Sequence, residues 1–304
     1  MRFPIRVAAA ALLALPSIGA APPSPARIVT GNGIVSGSVG GVPVRLRIDP
    51  AAVSTPLVSA EVARRAGLKP SLFEFEYAIG TVKIGFDSAV TRFDSGTGPE
   101  KRRVAWSSRT WAPGLDGVVG PGMLPEETIR FALRPRQAGE VSSALPLVGQ
   151  GGLGSQWGER FAAVPLGQRT LKVQFDPHHE LSIATAQAGA LIAAHHGGHF
   201  TGESRSVEIA FGVERPVRMM ELARPLEIGS LTITRLGVRT ADFGSAAGIP
   251  EKNADPNEIV VRAGGKAKAA YDQLKLGGDT LAACSSITFE RKAKKVRLDC
   301  RPVG

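Results

Sequence analysis

Apolar and polar residues alternate over short stretches of this chain, and glycines separate the stretches. In residues 42–48, VPVRLRI, every second residue is apolar and two of the three intervening residues are arginines. Alternation with a period of two is typical of a strand that buries one face. Similar short stretches occur at residues 34–39, 81–86, 207–211 and 231–240. The pattern therefore predicts a mainly β chain with many short strands.

Two stretches depart from this alternation and predict short helices. Residues 59–67, SAEVARRAG, begin with a serine that is suited to cap a helix and end with a glycine that is suited to terminate one. A second, alanine-rich stretch ends at His195 and His196, which favour the negative end of a helix dipole, and Gly197 follows as a cap. We therefore expect few helices, and short ones.

One segment of the chain occurs twice. From Gly41 the sequence reads GVPVRLRIDPAAVSTPLVSAEVARRAG, and from Gly167 it reads GQRTLKVQFDPHHELSIATAQAGALIAAHHGG. Each copy has a glycine turn, an alternating strand, an Asp-Pro step, a polar loop and an alanine-rich helical stretch. Two later segments also match, since VVG at residues 118–120 and LKLG at 274–277 each lead to a leucine and a short helical turn. The sequence thus predicts an internal duplication with aspartates at equivalent places.

The second copy also has a simpler interpretation. Residues 173–183, VQFDPHHELSI, fit a plain β-hairpin with the turn Asp-Pro-His-His, because Asp and Pro favour turns. Against this, residues 128–147 are predicted to form a closing hairpin of the first half, which leaves residues 167–183 free to open the second repeat. Residues 137–158 are rich in Gly, Ser and Gln and poor in periodicity, so we interpret this stretch as the boundary between the halves. We place the first lobe at 33–160 and the second at 161–304.

The N-terminus is predicted to be a processing segment. Arg2 and Arg6 precede a short apolar run and small residues, which is typical of a signal peptide over residues 1–21, and residues 22–32 form a leader. The run is shorter than the roughly 20 apolar residues that span a bilayer. We therefore expect a periplasmic or secreted protein without stable membrane insertion.

Charge and cysteines refine this interpretation. The net charge is +10, but the basic runs lack the interleaved aromatics of a nucleic-acid platform, so we expect a solvated basic surface and no nucleic-acid partner.

Cys284 and Cys300 flank a predicted strand-turn-strand near the C-terminus, and in an exported chain they are expected to form a disulfide. Two separate thiols are the alternative.

With these elements the chain resembles the aspartic protease superfamily, pepsin-like in having two halves and retropepsin-like in the compactness of each. The family's hallmark is a strand ending in Asp-Thr/Ser-Gly, followed later by an apolar-apolar-Gly segment. IDPAA from Ile48 and LDGVVG from Leu115 match these in the first half, and FDPHH from Phe175 and LKLGG from Leu274 in the second. The resemblance covers roughly residues 33–300.

The resemblance implies a two-lobed, mainly β fold in which Asp49 and Asp176 form a catalytic dyad that needs no cofactor. Two adjacent carboxylates share one proton because both cannot ionise cheaply. One of them then activates a water while the other polarises the peptide carbonyl. Tyr77 and Gly80, in YAIGT, are expected to lie in a flap that contacts substrate, although a lone Tyr before a turn more often packs inside.

The motif departs from the family after both aspartates. Pro50 and Pro177 stand where the family has Thr or Ser, and proline supplies neither a hydroxyl nor an N–H. Ala51 and His178 fill the glycine positions, and Lys275 replaces an apolar residue beside the second strand's glycine. We therefore expect missing donors to oppose a low-pKa carboxylate, and the two loops to lack the family's link.

These departures favour a non-catalytic, aspartic-protease-like protein that binds an extended peptide or unfolded segment between its lobes. An active, atypical aspartic endopeptidase using Asp49 and Asp176 is the alternative. A metal-binding protein built on the histidines of residues 178–199 is a third hypothesis, but two glycines interrupt the helical spacing of His195 and His199, so no metal site is assigned. The signatures of serine hydrolases, Walker loops, zincins and dinucleotide-binding proteins do not occur.

Overall fold

A computed structural model describes residues 26–149, 158–252 and 271–302, and within these ranges the chain is mainly β with three short helices. The predicted signal peptide lies outside the described residues. The strands of the first half are β1 (Ala26–Thr30), β2 (Ile34–Val39), β3 (Val42–Ile48), β4 (Leu57–Ser59), β5 (Phe75–Ile79), β6 (Val82–Asp94), β7 (Glu100–Ser107), β8 (Gly117–Val119), β9 (Thr128–Ala132) and β10 (Val141–Gly149).

The second half contains the remaining strands, β11 (Arg160–Leu166), β12 (Arg169–Phe175), β13 (Ile183–Ala184), β14 (Gly198–Ala210), β15 (Val213–Ile228), β16 (Leu231–Arg239), β17 (Gln273–Leu276), β18 (Cys284–Glu290) and β19 (Lys295–Cys300). The helices are α1 (Ala60–Arg65), α2 (Ala186–His196) and α3 (Gly278–Leu281). We call the seven-stranded sheet β2-β3-β8-β4-β7-β6-β5 with α1 the first lobe, and β11–β17 with α2 the second lobe.

The predicted helices begin and end as their sequences indicate. Ser59 precedes α1, and its hydroxyl accepts a hydrogen bond from the Val62 N–H. Thr185 caps α2 in the same way through the Ala188 N–H. Gly197 ends α2 with a φ of 70°, a left-handed conformation that favours glycine. These caps set where each helix begins and ends, and therefore where the hairpin that follows the helix starts.

Both lobes contain the same four strands around the Asp-Pro step. In the first lobe β8 lies between β3, which is parallel to it, and β4, which is antiparallel to it and parallel to β7. In the second lobe β17 lies between parallel β12 and antiparallel β13, and β13 is parallel to β16. The internal duplication is confirmed, and residues 173–183 are not a plain hairpin because β17 separates their strands.

A glycine ends the middle strand of each lobe because neighbouring backbone leaves no room for a side chain. A Cβ at Gly120 would lie 2.2 Å from the carbonyl oxygen of Ala52, and a Cβ at Gly277 would lie 2.4 Å from that of Leu181. These carbonyls belong to the loops that follow the two Asp-Pro steps. The apolar-apolar-Gly pattern thus lets each loop pack directly on its strand.

The prediction of a closing hairpin over residues 128–147 is wrong. β9 and β10 do not pair with each other, because the β18–β19 hairpin lies between them. β9 and β18 are the equivalent strands of the two halves, and their antiparallel pairing brings the rings of Phe131 and Phe289 to 5.8 Å between centroids. A strand of the first half therefore pairs with a strand of the second half. The apolar pattern of a single segment does not predict such a distant partner.

The sheet also runs through the stretch interpreted as a boundary. β10 lies within residues 137–158 and pairs with β19 on one side and β11 on the other. Its residues are mostly exposed or half-buried, which explains the weak apolar periodicity there. A single twelve-stranded sheet, β1-β9-β18-β19-β10-β11-β12-β17-β13-β16-β15-β14, therefore joins the halves.

The disulfide between Cys284 and Cys300 is confirmed. Cys284 begins β18 and Cys300 ends β19, and the two residues lie opposite each other in the pairing of these strands. The bond therefore closes the open end of this hairpin. Among the described residues, no helix has the length and apolar character needed to cross a membrane.

We expect Gly120→Ala to destabilise the protein by about 1–3 kcal/mol, since the added methyl must displace backbone. Gly85→Ala is the control, because a Cβ at Gly85 meets no atom within 4 Å and the residue lies in strand β6. Urea unfolding of both variants measures the effect. Equal unfolding midpoints for the two variants would contradict the close approach of the loop.

Candidate active site

Asp49 lies directly after β3, in the turn that packs on β8. Its backbone N–H donates to the carbonyl of Val119 (3.0 Å), which continues the parallel pairing by one residue. Asp49 is 1% exposed, and its Oδ1 accepts the Ala51 N–H (2.8 Å) while its Oδ2 accepts Nε1–H of Trp111 (3.0 Å). Burial, and after it the charge of Asp176, raises the pKa of Asp49 above its ordinary value.

Asp176 occupies the equivalent place after β12. Its N–H donates to the carbonyl of Leu276 (2.8 Å), and its Oδ1 accepts the N–H groups of His178 and His179 (both 3.1 Å). Its Oδ2 forms an ion pair with Nζ of Lys275 (3.1 Å). Burial acts to raise the pKa of Asp176, but the Lys275 ion pair and the neighbouring histidines outweigh burial and hold that pKa below its ordinary value.

The expectation that these carboxylates lack backbone donors is wrong. Proline removes only the N–H of the residue next to each aspartate. The N–H two residues on is retained at Ala51 and His178, and the Asp-Pro turn directs it at the carboxylate without glycine. Both aspartates therefore keep a backbone donor in spite of Pro50 and Pro177, and the opposite pKa shifts of the two residues come from their other surroundings.

Lys275 and Trp111 connect the two carboxyl groups. The Lys275 Nζ that pairs with Asp176 lies 5.4 Å from the centre of the Trp111 ring, a distance suited to a cation–π interaction. The indole N–H of the same ring donates to Asp49. A chain of contacts thus runs from Asp49 through Trp111 and Lys275 to Asp176, and every carboxyl oxygen in it has a partner.

The two Asp-Pro loops are linked, although not by Thr or Ser beside the aspartates. The amide Nε2 of Gln174, on β12, donates to the carbonyl of Ala51 in the first lobe's turn (2.7 Å). Ser54 donates through its hydroxyl and its N–H to the carbonyl of Gly158 (2.8 and 3.1 Å). The lobes are therefore joined beside the carboxyl pair by an amide from the strand itself.

Tyr77 and Gly80 lie in the β5–β6 hairpin, as a flap requires. The Tyr77 hydroxyl donates to Oε1 of Glu159 in the second lobe (2.7 Å), and burial, followed by Glu159, raises the pKa of Tyr77 well above its ordinary value. Gly80, at the turn, lies against side chains of the second lobe, since a Cβ there would approach Asp242 Oδ1 to 2.7 Å and Arg215 Nη2 to 2.8 Å. The hairpin thus lies closed on the second lobe.

The equivalent hairpin of the second lobe, β14–β15, packs on Trp111 and Lys275, the side chains that bind the two carboxyl groups. Phe211 at its turn is 3% exposed, and its ring centroid lies 5.2 Å from Tyr77, 5.1 Å from Trp111 and 5.4 Å from Phe86. Backbone carbonyls near this turn accept hydrogen bonds from side chains beside the carboxyl pair: Glu208 from His179, Ile209 from Lys275 and Phe211 from Arg109. Two hairpin tips therefore meet over the two carboxyl groups.

Beside this closed centre an open cavity of about 500 Å³ lies between the lobes. The first lobe lines it with β5, the residues just before β5, and the loop after Asp49. The second lobe contributes Glu159 and the aromatic rings of Phe243 and Tyr271. It is the part of the inter-lobe cleft that the second hairpin leaves open.

The five histidines do not converge on one point. His178 and His179 belong to the turn after Asp176, His195 and His196 lie in the last turn of α2, and His199 lies in β14. Within the described ranges, no group of three or more His, Cys, Asp or Glu side chains is placed to hold a metal ion. The metal hypothesis gains no support from this arrangement.

Sequence reasoning missed Trp111, Phe211, Gln174 and Glu159. A single aromatic in a Gly/Pro-rich loop, or at a hairpin turn, has no periodicity that reveals what it faces. Lys275 did give a signal, because a lysine between two buried leucines of a short strand, LKL, requires a counter-charge. That counter-charge is Asp176.

No family model matches the chain, and no curated protein does. Among solved structures, the aspartic proteinase from Irpex lacteus is similar at 11% sequence identity and a TM-score of 0.42, with 88% of this chain and 94% of that chain covered. Likeness at this level carries no information on activity, so the contacts described above define the site.

We expect Lys275→Met to destabilise the protein by about 3–5 kcal/mol at neutral pH, because it leaves the Asp176 charge buried without a partner. In the parent protein, the lowered pKa of Asp176 stabilises the fold at pH values above the pKa that this residue has in the unfolded chain. This stabilisation is lost as the pH falls through the pKa that the residue has in the folded protein. Without Lys275, burial raises that pKa, so protonation removes the unpaired charge. The difference in unfolding free energy between the parent protein and Lys275→Met, measured with urea, should therefore become smaller as the pH is lowered.

Lys292→Met provides the matched control, since its ion pair with Glu127 involves a lysine side chain that is 77% exposed. This variant should unfold like the parent protein at every pH. A Lys275→Met loss that is as small as the control's, or independent of pH, would show that the ion pair does not stabilise the site.

Proposed function

We propose that this chain is a non-catalytic, aspartic-protease-like protein that holds an extended peptide in the cleft between its lobes. The ion pair between Lys275 and Asp176 is the observation that carries the proposal. A hydrolytic carboxyl pair must share one proton and hold a water between its members. Here the positive charge of Lys275 neutralises Asp176, which is the task that the shared proton has in a hydrolytic pair.

The ion pair also weakens the base that hydrolysis would need. A general base acts best when its pKa is near the working pH, and Lys275, followed by the neighbouring histidines, holds the pKa of Asp176 below its ordinary value. Asp49, whose pKa is raised, is neutral over a wider range of pH. Its Oδ2 already accepts a hydrogen bond from the Trp111 N–H, so a substrate carbonyl or a water would have to compete for this oxygen.

Peptide binding is supported by the edge of the first lobe. β5 is the last strand of the seven-stranded sheet and pairs with β6 on one side. The open cavity follows residues 73–78, so it runs along the edge of β5. An extended peptide could add to this edge through main-chain hydrogen bonds while its side chains enter the cavity. The predicted export to the periplasm or beyond is part of the same proposal.

An active, atypical aspartic endopeptidase remains the second candidate, because one observation favours it. The pKa of Asp49 is raised while that of Asp176 is lowered. Environments that push two carboxyl pKa values apart are how such pairs divide acid and base roles. In this candidate the β14–β15 hairpin must leave the site, since Phe211 fills the space above the pair.

Cleavage of an unfolded, carboxymethylated protein between pH 3 and 7 separates the two candidates. We expect no fragments from the mature chain by mass spectrometry, because Asp176 is a weakened base, and we expect the same chain to bind labelled extended peptides by fluorescence anisotropy. Asp49→Asn is the matched control. Cleavage that disappears in this variant and with a statine-type inhibitor would establish the endopeptidase and contradict the non-catalytic proposal.

A further inference from the structure

The open cavity between the lobes has a charge opposite to that of the protein. Its charged lining residues within the described part of the chain are Glu74, Glu76 and Glu159, and lysine, arginine and histidine do not line it. The chain as a whole has a net charge of +10. An acidic cavity in a basic protein attracts cations and repels anionic ligands, including nucleic acid and acidic peptides.

Glu159 is buried in the cavity wall with one oxygen unpaired. The residue is 5% exposed, and its Oε1 accepts both the Tyr77 hydroxyl (2.7 Å) and the Gln174 amide (3.0 Å). Its Oε2 has no hydrogen-bond partner among the described residues. This oxygen does not belong to the buried side-chain atoms that lack a partner, so it is accessible from the cavity and free to accept a charged hydrogen bond from a ligand.

The cation already present near Glu159 is committed elsewhere. Arg239 is buried and interacts electrostatically with Glu159, but its guanidinium is ion-paired with Asp242. Arg239 is also absent from the lining of the open cavity. It therefore offsets part of the Glu159 charge from behind without occupying the place of a ligand.

Aromatic rings form the rest of the wall. Phe243 and Tyr271 stack at 4.4 Å between centroids with an angle of 10° between their planes, and both line the cavity. Phe75, Tyr77 and Phe86 line it from the first lobe. Aromatic faces attract ammonium and guanidinium groups and also pack against the aliphatic stem of a long basic side chain.

The rim adds charge at the entrance. Glu76 is already paired with Lys83 (3.0 Å), so the attraction at the rim falls mainly to Glu74. Both residues are exposed and lie beside or on β5, the strand to which an extended peptide would add. A peptide bound along β5 would therefore place alternate side chains at the acidic cavity.

We propose that this cavity accepts a lysine or arginine side chain of the extended peptide, with Glu159 Oε2 as the acceptor for its cationic group. The proposal rests on the proposed function, because the peptide backbone is bound by strand addition at β5. It adds the substrate class, a basic peptide, and identifies Glu159 as the residue that determines it.

Fluorescence anisotropy with three short extended peptides tests the proposal. The peptides share one sequence and an uncharged dye and differ at the central residue, which is lysine, norleucine or glutamate. On the parent protein we expect the lysine peptide to bind most tightly and the glutamate peptide most weakly. Equal binding of the lysine and norleucine peptides would overturn the acidic cavity's role and leave the proposed function intact.

Glu159→Gln is the decisive variant, because the glutamine oxygen can still accept the bonds from Tyr77 and Gln174. It should weaken binding of the lysine peptide by about 10- to 100-fold, since a charged hydrogen bond is lost. Binding of the norleucine peptide should not change. Glu203→Gln, at an exposed position in β14, is the control and should leave both affinities unchanged.

Other results are equally definite. An equal loss for both peptides in Glu159→Gln would show that Glu159 supports the fold and does not recognise charge, and would overturn the inference. Tighter binding of the glutamate peptide would do the same. If the parent protein binds none of the three peptides while remaining folded by circular dichroism, the proposed function itself fails, and this inference fails with it.

Discussion

The ion pair between Lys275 and the buried carboxylate of Asp176 governs the centre of this protein. Duplication of the strand-Asp-Pro-loop unit places Asp49 and Asp176 at equivalent ends of β3 and β12, and the charge of Asp176 adds to burial in raising the pKa of Asp49. Burial alone would make both carboxyl groups neutral. The chain instead supplies one positive charge from Lys275, which keeps Asp176 ionised, and leaves Asp49 to an uncharged donor, Trp111. One lysine thus gives two carboxyl groups at equivalent positions pKa values that are shifted in opposite directions.

The closed centre follows from that asymmetry. Because Lys275 also donates to the carbonyl of Ile209, the ion pair fixes the β14–β15 hairpin as well as the carboxylate. Phe211 then packs on the Trp111 ring that donates to Asp49, and the first lobe's Tyr77 packs on both rings. What stays open is the side of the cleft along β5, with its acidic and aromatic wall. In the proposed function, the binding of a peptide along β5 and the absence of hydrolysis at the carboxyl pair would both follow from these contacts.

Much of the fold could be predicted from the sequence, because its signals are local. Alternation gave the strands, Ser59 and Gly197 gave helix limits, and the matched Asp-Pro and apolar-Gly segments gave the duplication. The partner exchange between β9 and β18 could not be predicted, since a strand's pattern does not say which distant strand lies beside it. At the site, the positions of the aspartates followed from the repeat, but Trp111, Phe211 and Glu159 reach it from separate loops and turns. The prolines suggested that the carboxylates lack backbone donors, but the N–H of the residue two positions after each aspartate still donates to its carboxylate.

If Lys275 sets the charge of Asp176, the two aspartates must protonate at different pH. Carbon-13 NMR of the side-chain carboxyl groups, assigned with Asp49→Asn and Asp176→Asn, follows each residue through a pH titration. We expect separate titrations, with Asp49 protonating above the ordinary range for aspartate and Asp176 below it. Asp176 should lose its low value in Lys275→Met. A single proton shared equally by both residues, with titrations that are unchanged in Lys275→Met, would show that the ion pair does not set the protonation of either aspartate.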